Sequence, residues 1–312
     1  VREHPGLIAA FGVETCPSVY ACYRFTAKLR KHKHLLDGCI AAVLTRLHDA
    51  NPSLGENVAI DASDMPAYAN GQRFASQGGR ERADSEFSDP DASWGHRSAV
   101  STRKGGGFYG YRLHMAVDTA TDLPLAWQVE TARSHETNAV GPLLDKLHAL
   151  GIDPETAALD KGYDNNAVYA ACSERGIVPV IPLRETSEVK RGAHRPPHCF
   201  HGPRQFAGAD YQRGATKWRC PTGQCKPKSV WVKADRLHPL IPRETLRWKG
   251  LYRKRAAVER EFGRLKNEWA LAPLRVRRTE RVRLHADLTI LAKLGLRLND
   301  QAEGAAPLPL AA

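Results

Sequence analysis

No stretch of this 312-residue chain comes near the roughly 18 consecutive apolar residues a membrane-spanning helix needs. The Val1-Arg2-Glu3-His4 start lacks the layout of a targeting peptide. A cytoplasmic protein with no membrane partner is therefore expected. No internal repeat is present, and no phosphate-cradling glycine loop: Gly105-Gly106-Gly107 merely precedes a strand, which disfavours a nucleotide-dependent metabolic enzyme. Acidic residues are scarce towards the C-terminus. Residues 184–300 hold 28 Lys/Arg against 11 Asp/Glu, although the whole chain carries only +12. That asymmetry suits a polyanion, most simply nucleic acid, because each cation set on a phosphate releases condensed counterions. A well-solvated basic surface would give the same count.

Seven cysteines are too few and too scattered for a disulfide framework. Cys16, Cys22, Cys39 and Cys172 lie among apolar neighbours and read as small core residues of a reduced protein. Cys199, His201, Cys220 and Cys225 fall instead in one Pro- and Gly-rich segment. Three thiols and an imidazole make a plausible structural zinc set, although the Cys-x4-Cys spacing is wide and His198 competes with His201. Free cysteines are the alternative.

Periodicity divides the rest. Apolar positions at three- and four-residue spacing predict helices from Tyr20 to Leu29 and from Leu35 to Leu47. Val58-Ala-Ile-Asp61 reads as a buried strand ending in a carboxylate, and Met65 to Gly107 as a long, partly mobile loop. A strand pair follows, Tyr109–Asp118 and Pro124–Val129, turning at Thr121-Asp122. A helix is expected over Asn138–Leu150, a strand Thr156–Asp160 ending in a second carboxylate, a helix Asn165–Arg175 and a short strand Ile177–Ile181. Residues 185–245 read as an irregular insertion. Single helices are expected over Arg247–Ala270 and Glu280–Leu298, then a disordered tail over 299–312.

Strand-ending acids sit at a sheet rim, where neighbouring strands run about 4.8 Å apart. Paired rim carboxylates repel unless a cation lies between them, and Mg²⁺ prefers oxygen ligands. A helix N-cap or turn role is the plainer reading of either aspartate alone. On one continuous helix, Tyr252, Arg255, Glu259 and Lys266 would project within roughly 60° of each other. An exposed helix with ordinary salt bridges would look the same.

Tyr252-x2-Arg255-x3-Glu259-x6-Lys266 resembles the YREK signature of DDE transposases from bacterial insertion sequences. Val58-Ala-Ile-Asp61 is similar to that family's first catalytic strand, and Leu159-Asp160-Lys-Gly-Tyr163 to its second aspartate motif. Gly110-Tyr-Arg-Leu-His114, Pro124-Leu-Ala-Trp127 and Arg133-Ser-His-Glu136 are similar to the strands between. The resemblance spans roughly Asn57 to Leu298. It implies an α/β fold, an RNase H-like mixed sheet flanked by helices, with the core in two parts (57–184 and 246–298) around the insertion. It further implies two Mg²⁺ (or Mn²⁺) ions on Asp61, Asp160 and Glu259, and DNA contacts by Tyr252, Arg255, Lys266, Lys161, Arg275, Arg277 and Arg278. The partners would be terminal inverted repeats and target DNA, bound by a homodimer on paired ends near the bacterial nucleoid. The helical segment 1–56 is short for such a protein and shows no helix-turn-helix, which leaves open a fragment or a decayed copy. Two alternatives stand beside this reading: a catalytically inert, transposase-derived DNA-binding protein, and another RNase H-like nuclease.

Overall fold

Two adjacent strands organise the computed structural model, which describes residues 15–72, 83–97 and 104–302. Strand β1 (Asn57–Pro66) buries Val58, Ala59 and Ile60, while β3 (Gly106–Asp118) is buried on both faces from Phe108 onward. They pair antiparallel, with Asp61 opposite Met115. Beyond β3 lies antiparallel β4 (Pro124–Thr131), and β2 (Ser93–Arg97) follows it along the same edge. On the other side β1 pairs in parallel with β5 (Thr156–Ala158), and β5 with β6 (Val178–Val180). The order β4-β3-β1-β5-β6, three antiparallel strands followed by two parallel ones, is the RNase H-like arrangement that was expected.

Local chemistry fixes the connections. The β3–β4 turn closes on Asp118, whose carboxylate accepts from the backbone of Ala120 and Thr121 and, across the sheet, from Gly55. The parallel strands need crossover helices. These are α3 (Val140–Ala149), which buries Val140, Leu143, Leu144 and Leu147, and α4 (Asn166–Ser173), capped by Asn165. Helix α2 (Lys33–Ala50) buries Leu36, Ile40, Leu44 and Leu47 against α8 (Thr279–Ala302), and α8 is held to β4 by Trp127 donating to Asp287 at 2.8 Å. Helix α1 (Val19–Lys31) buries no side chain.

Several expectations change. Cys22 and Cys39 are exposed rather than core: α1 has no buried face, and Cys39 lies one position off the apolar stripe of α2. The loop expected from Met65 holds the end of β1 and all of β2. Its described part is tied down by Asp89, which accepts from Tyr111 Oη at 2.9 Å and Arg278 N at 3.0 Å. Residues 73–82 and 98–103 of that expectation lie outside the described residues, as do 1–14 of the N-terminal segment and 303–312 of the expected tail. Helix α8 continues through Asn299 to Ala302.

The expected single helix Arg247–Ala270 is two, α6 (Leu246–Arg253) and α7 (Ala256–Asn267). They follow a four-residue helix, α5 (Ser187–Lys190), and the insertion. At the junction Lys254, Arg255, Ala257 and Val258 donate to the residue three back, so the chain tightens into a 3₁₀-like turn between the two helices. Within the insertion lie a short hairpin, β7 (His198–Cys199) with β8 (Gly202–Pro203), and a three-stranded antiparallel sheet, β9 (Gln205–Asp210), β10 (Ala215–Arg219) and β11 (Ser229–Lys233). The insertion docks on the core through buried Arg236, 2.9 Å from Asp164. No helix among the described residues is long and apolar enough to cross a membrane.

One core residue is titratable. His114 on β3 is fully buried, with neither ring nitrogen hydrogen-bonded among the described residues, and burial, helped by Arg112, pushes its pKa down to about 4. The unfolded chain binds this proton near pH 6.5 and the folded chain does not, so stability falls as pH drops through that window. Between pH ~7 and ~4.5 the wild type is expected to lose about 2 kcal/mol more than His114→Leu. Equal acid sensitivity of the two proteins in chemical unfolding would refute this.

Candidate active site

The parallel pairing of β1 with β5 stops at Ala59 opposite Ala158. Two positions further come Asp61, still within β1, and Asp160, in extended backbone two residues past the end of β5, and the two-residue side-chain period puts both on one face of the sheet. Asp61 therefore marks the end of the β5 pairing, not the end of its strand, since β1 continues to Pro66 against β3 alone. Its Oδ1 accepts from Ala62 N at 2.8 Å and its Oδ2 from Arg255 Nη1 at 3.1 Å. Burial raises the Asp61 pKa to about 7, against the pull of Ala62 and Arg255, and the charges of Asp160 and Glu136 add to the rise. Asp160 has the N-cap role as well as the rim position. Its Oδ1 accepts from Gly162 N at 2.7 Å and starts the turn Lys161–Tyr163.

Glu259 reaches this rim from α7. Arg255, at the kink before α7, donates to Asp61 with one nitrogen and to Glu259 with the other, so a guanidinium stands between two of the three predicted acids. Four contacts fix α7 itself. Arg260 grips Asp122 at 2.7 and 2.8 Å, Arg264 reaches the same carboxylate at 3.0 Å, Lys266 Nζ donates to Asp64 O at 2.7 Å, and Glu261 pairs with Lys293. Lys266 thus helps hold α7 on β1. Tyr252 stacks on Trp248 with ring centroids 5.0 Å apart, against the end of β6, and Arg255 lies 6.0 Å from its ring. The kink separates Tyr252 from the helix that carries Glu259 and Lys266.

Three further residues here lie within the motifs quoted above but were not among the expected site residues. Glu136, in the turn before α3, adds a fourth acid. Burial raises its pKa, opposed by Arg112, whose Nη1 lies 3.3 Å away. Arg112 also reaches Asp64 at 3.4 Å, and a lone arginine inside the apolar run of β3 was the available signal. Tyr163 is buried beside Asp61, Glu136 and Asp160, and its hydroxyl has no partner among the described residues.

From Asp160 and Glu136 an open cleft of about 850 Å³ runs past Arg133, Lys161, Arg184 and the half-exposed Trp94. Arg275 and Arg277 are elsewhere, 5.8 and 5.2 Å from the Tyr68 ring, in a second groove of about 660 Å³ formed with α1 and α8. Arg278 pairs with Asp91 at 3.1 Å. In the insertion, one ligand atom from each of Cys199, His201, Cys220 and Cys225 lies within 4.8 Å of the others. Hydrogen bonding by Thr222 is the main cause that lowers the Cys220 thiol to about 5. His198 turns away, to the carbonyl of Pro196 at 3.1 Å.

A family model described as transposase DDE domain matches residues 52–293. Among solved structures, one of a piggyBac transposase synaptic complex with hairpin DNA is similar at 14% identity and a TM-score of 0.39. That likeness covers 82% of this chain and 50% of the other, so the chain spans half the length of that neighbour. No curated protein matches the chain significantly.

Proposed function

Because the chain belongs to the transposase DDE-domain family, we propose that it cuts DNA at the ends of an insertion sequence and joins the freed 3′ ends to target DNA. Asp61, Asp160 and Glu259 are the metal-binding acids of this reading. One observation carries it: a cation, Arg255, bridges Asp61 and Glu259, while the charge of Asp160 presses on Asp61. The donor set fits a hard divalent ion, since every candidate ligand atom is a carboxylate oxygen. Two Mg²⁺ (or Mn²⁺) ions held there would make a strong nucleophile from water or a 3′-hydroxyl and stabilise the leaving oxyanion.

The chain's own residues do the rest. Lys161, Arg133 and Arg184 line the cleft beside Asp160 and supply charge to DNA phosphates. Trp94 offers a face on which a base can stack. Arg112 neutralises Glu136 and Asp64, so that the fourth acid does not add its full repulsion. Once freed from the acids, Arg255 is suited to bidentate phosphate binding. Arg275, Arg277 and Tyr68 track the backbone along the second groove. Terminal inverted repeats and target DNA are the partners on this reading, with a homodimer on paired ends.

The test is incubation with a duplex carrying the element's terminal repeat in Mg²⁺ or Mn²⁺. Nicks at the repeat boundary and joined products are expected. Tight binding with no nick in either ion would favour an inert DNA-binding protein, and nicks without joining another RNase H-like nuclease. Gly162 gives a finer test. A Cβ there would lie 2.9 Å from Asp160 Oδ1, so Gly162→Ala must displace that carboxylate. Single-turnover cleavage is expected to fall roughly tenfold at unchanged melting temperature, and an unchanged rate would mean that the Asp160 carboxylate clears the methyl without leaving its working position.

A further inference from the structure

The β7–β8 hairpin has two residues in each strand and no apolar core of its own, for Phe200 at its tip is 98% exposed. A ribbon that short is not stable on its ladder alone. Hairpin residues Cys199 and His201 nevertheless meet Cys220 and Cys225, which flank the turn between β10 and β11, in a knot of four ligand atoms all within 4.8 Å. His201 Nδ1 lies 3.2 Å from Cys225 Sγ and 3.7 Å from Cys220 Sγ. Tetrahedral zinc, with Zn–S near 2.3 Å and Zn–N near 2.0 Å, sets its ligands about 3.5–3.8 Å apart. The observed separations bracket the sulfur–nitrogen edge of such a site.

We propose that Cys199, His201, Cys220 and Cys225 bind one structural zinc ion that clamps the β7–β8 hairpin to the β9–β11 sheet. Four protein ligands close the coordination sphere and leave no open position for catalysis, so the role is architectural. Gly223, at φ +71°, makes the tight turn that brings Cys225 back towards Cys220. Thr222 Oγ1, 3.4 Å from Cys220 Sγ, supplies the outer hydrogen bond that a zinc-bound thiolate commonly accepts. Thiolates select zinc over magnesium, so this site and the carboxylate cluster load independently. The inference stands whether or not the chain cuts DNA.

Metal analysis of the full chain, purified under reducing conditions from zinc-supplemented medium, is expected to give about one zinc per chain, lost in both Cys220→Ser and Cys225→Ser. Wild type stripped of metal and loaded with Co²⁺ is expected to give the intense visible d–d bands of a tetrahedral thiolate site. This second readout does not depend on the variants folding. Protease sensitivity confined to residues 198–225 should appear on stripping and vanish when zinc is restored. Less than about a tenth of an equivalent of zinc together with no Co²⁺ bands would overturn the proposal. So would a Cys220–Cys225 disulfide in anaerobically prepared protein, or zinc retained undiminished in both variants.

Discussion

Glu259→Gln is expected to reduce cleavage of terminal-repeat DNA by roughly 10³-fold or more, while DNA binding and melting temperature stay near wild type. The loss follows from charge. A glutamine keeps the shape of the side chain and an oxygen for Arg255 but cannot neutralise a divalent ion, and losing several kcal/mol of transition-state stabilisation slows a reaction by that factor. Stability is spared because the Glu259 side chain is 57% exposed, while α7 is held by Arg260, Arg264, Lys266 and Glu261. Single-turnover cleavage and a binding isotherm on the same duplex separate the two effects. Equal rates for the two proteins would show that another carboxylate, with Glu136 the nearest candidate, is the third ligand.

The second large effect runs in the opposite direction. In the absence of DNA, Arg255→Gln is expected to bind Mn²⁺ roughly tenfold more tightly than the wild type. An incoming ion must break two charge-assisted hydrogen bonds from Arg255, to Asp61 and to Glu259. Discounted for the partial exposure of all three groups, that competition is worth roughly 1–2 kcal/mol. The same substitution leaves two carboxylates facing each other uncompensated, so the metal-free variant should melt lower and recover when Mn²⁺ is added. Titration followed by electron paramagnetic resonance reads the affinity directly. An affinity at or below that of the wild type would mean that Arg255 and the ion do not compete.

What could be read in the sequence were the groups announced by local pattern. Asp61 and Asp160 close short apolar runs, and α2 and α3 declare themselves by their leucine spacing. The cysteine–histidine set stood out because three thiols and an imidazole fall in one Pro- and Gly-rich segment, and the hairpin brings His201 to the thiols while His198 turns away. The kink at Lys254-Arg255 was not legible. Hydrogen bonds to the third residue back leave the apolar periodicity of Val258, Phe262 and Leu265 intact while dividing the run into two helices, with Tyr252 on the first beside Trp248. The strands of the insertion are short, and β9 and β11 present few buried side chains, so alternation had little to report. Glu136 and Arg112 become partners only when the sheet and the turn before α3 come together from positions far apart in the chain, a separation no local motif encodes.

On the proposed reading, the four contacts that hold α7 bear on how fast a metal centre can assemble. With the backbone under Glu259 held by these contacts, the proposed third acid would be in position before any ion arrives, and the Arg255 side chain is the group the ion would have to displace. A partly exposed guanidinium changes rotamer in picoseconds to nanoseconds, whereas swinging a helix into place takes roughly microseconds to milliseconds. Ion loading would then be paced by the ion's own dehydration and diffusion, with no lag from a backbone rearrangement. Slow steps in such a cycle would fall instead to the handling of DNA.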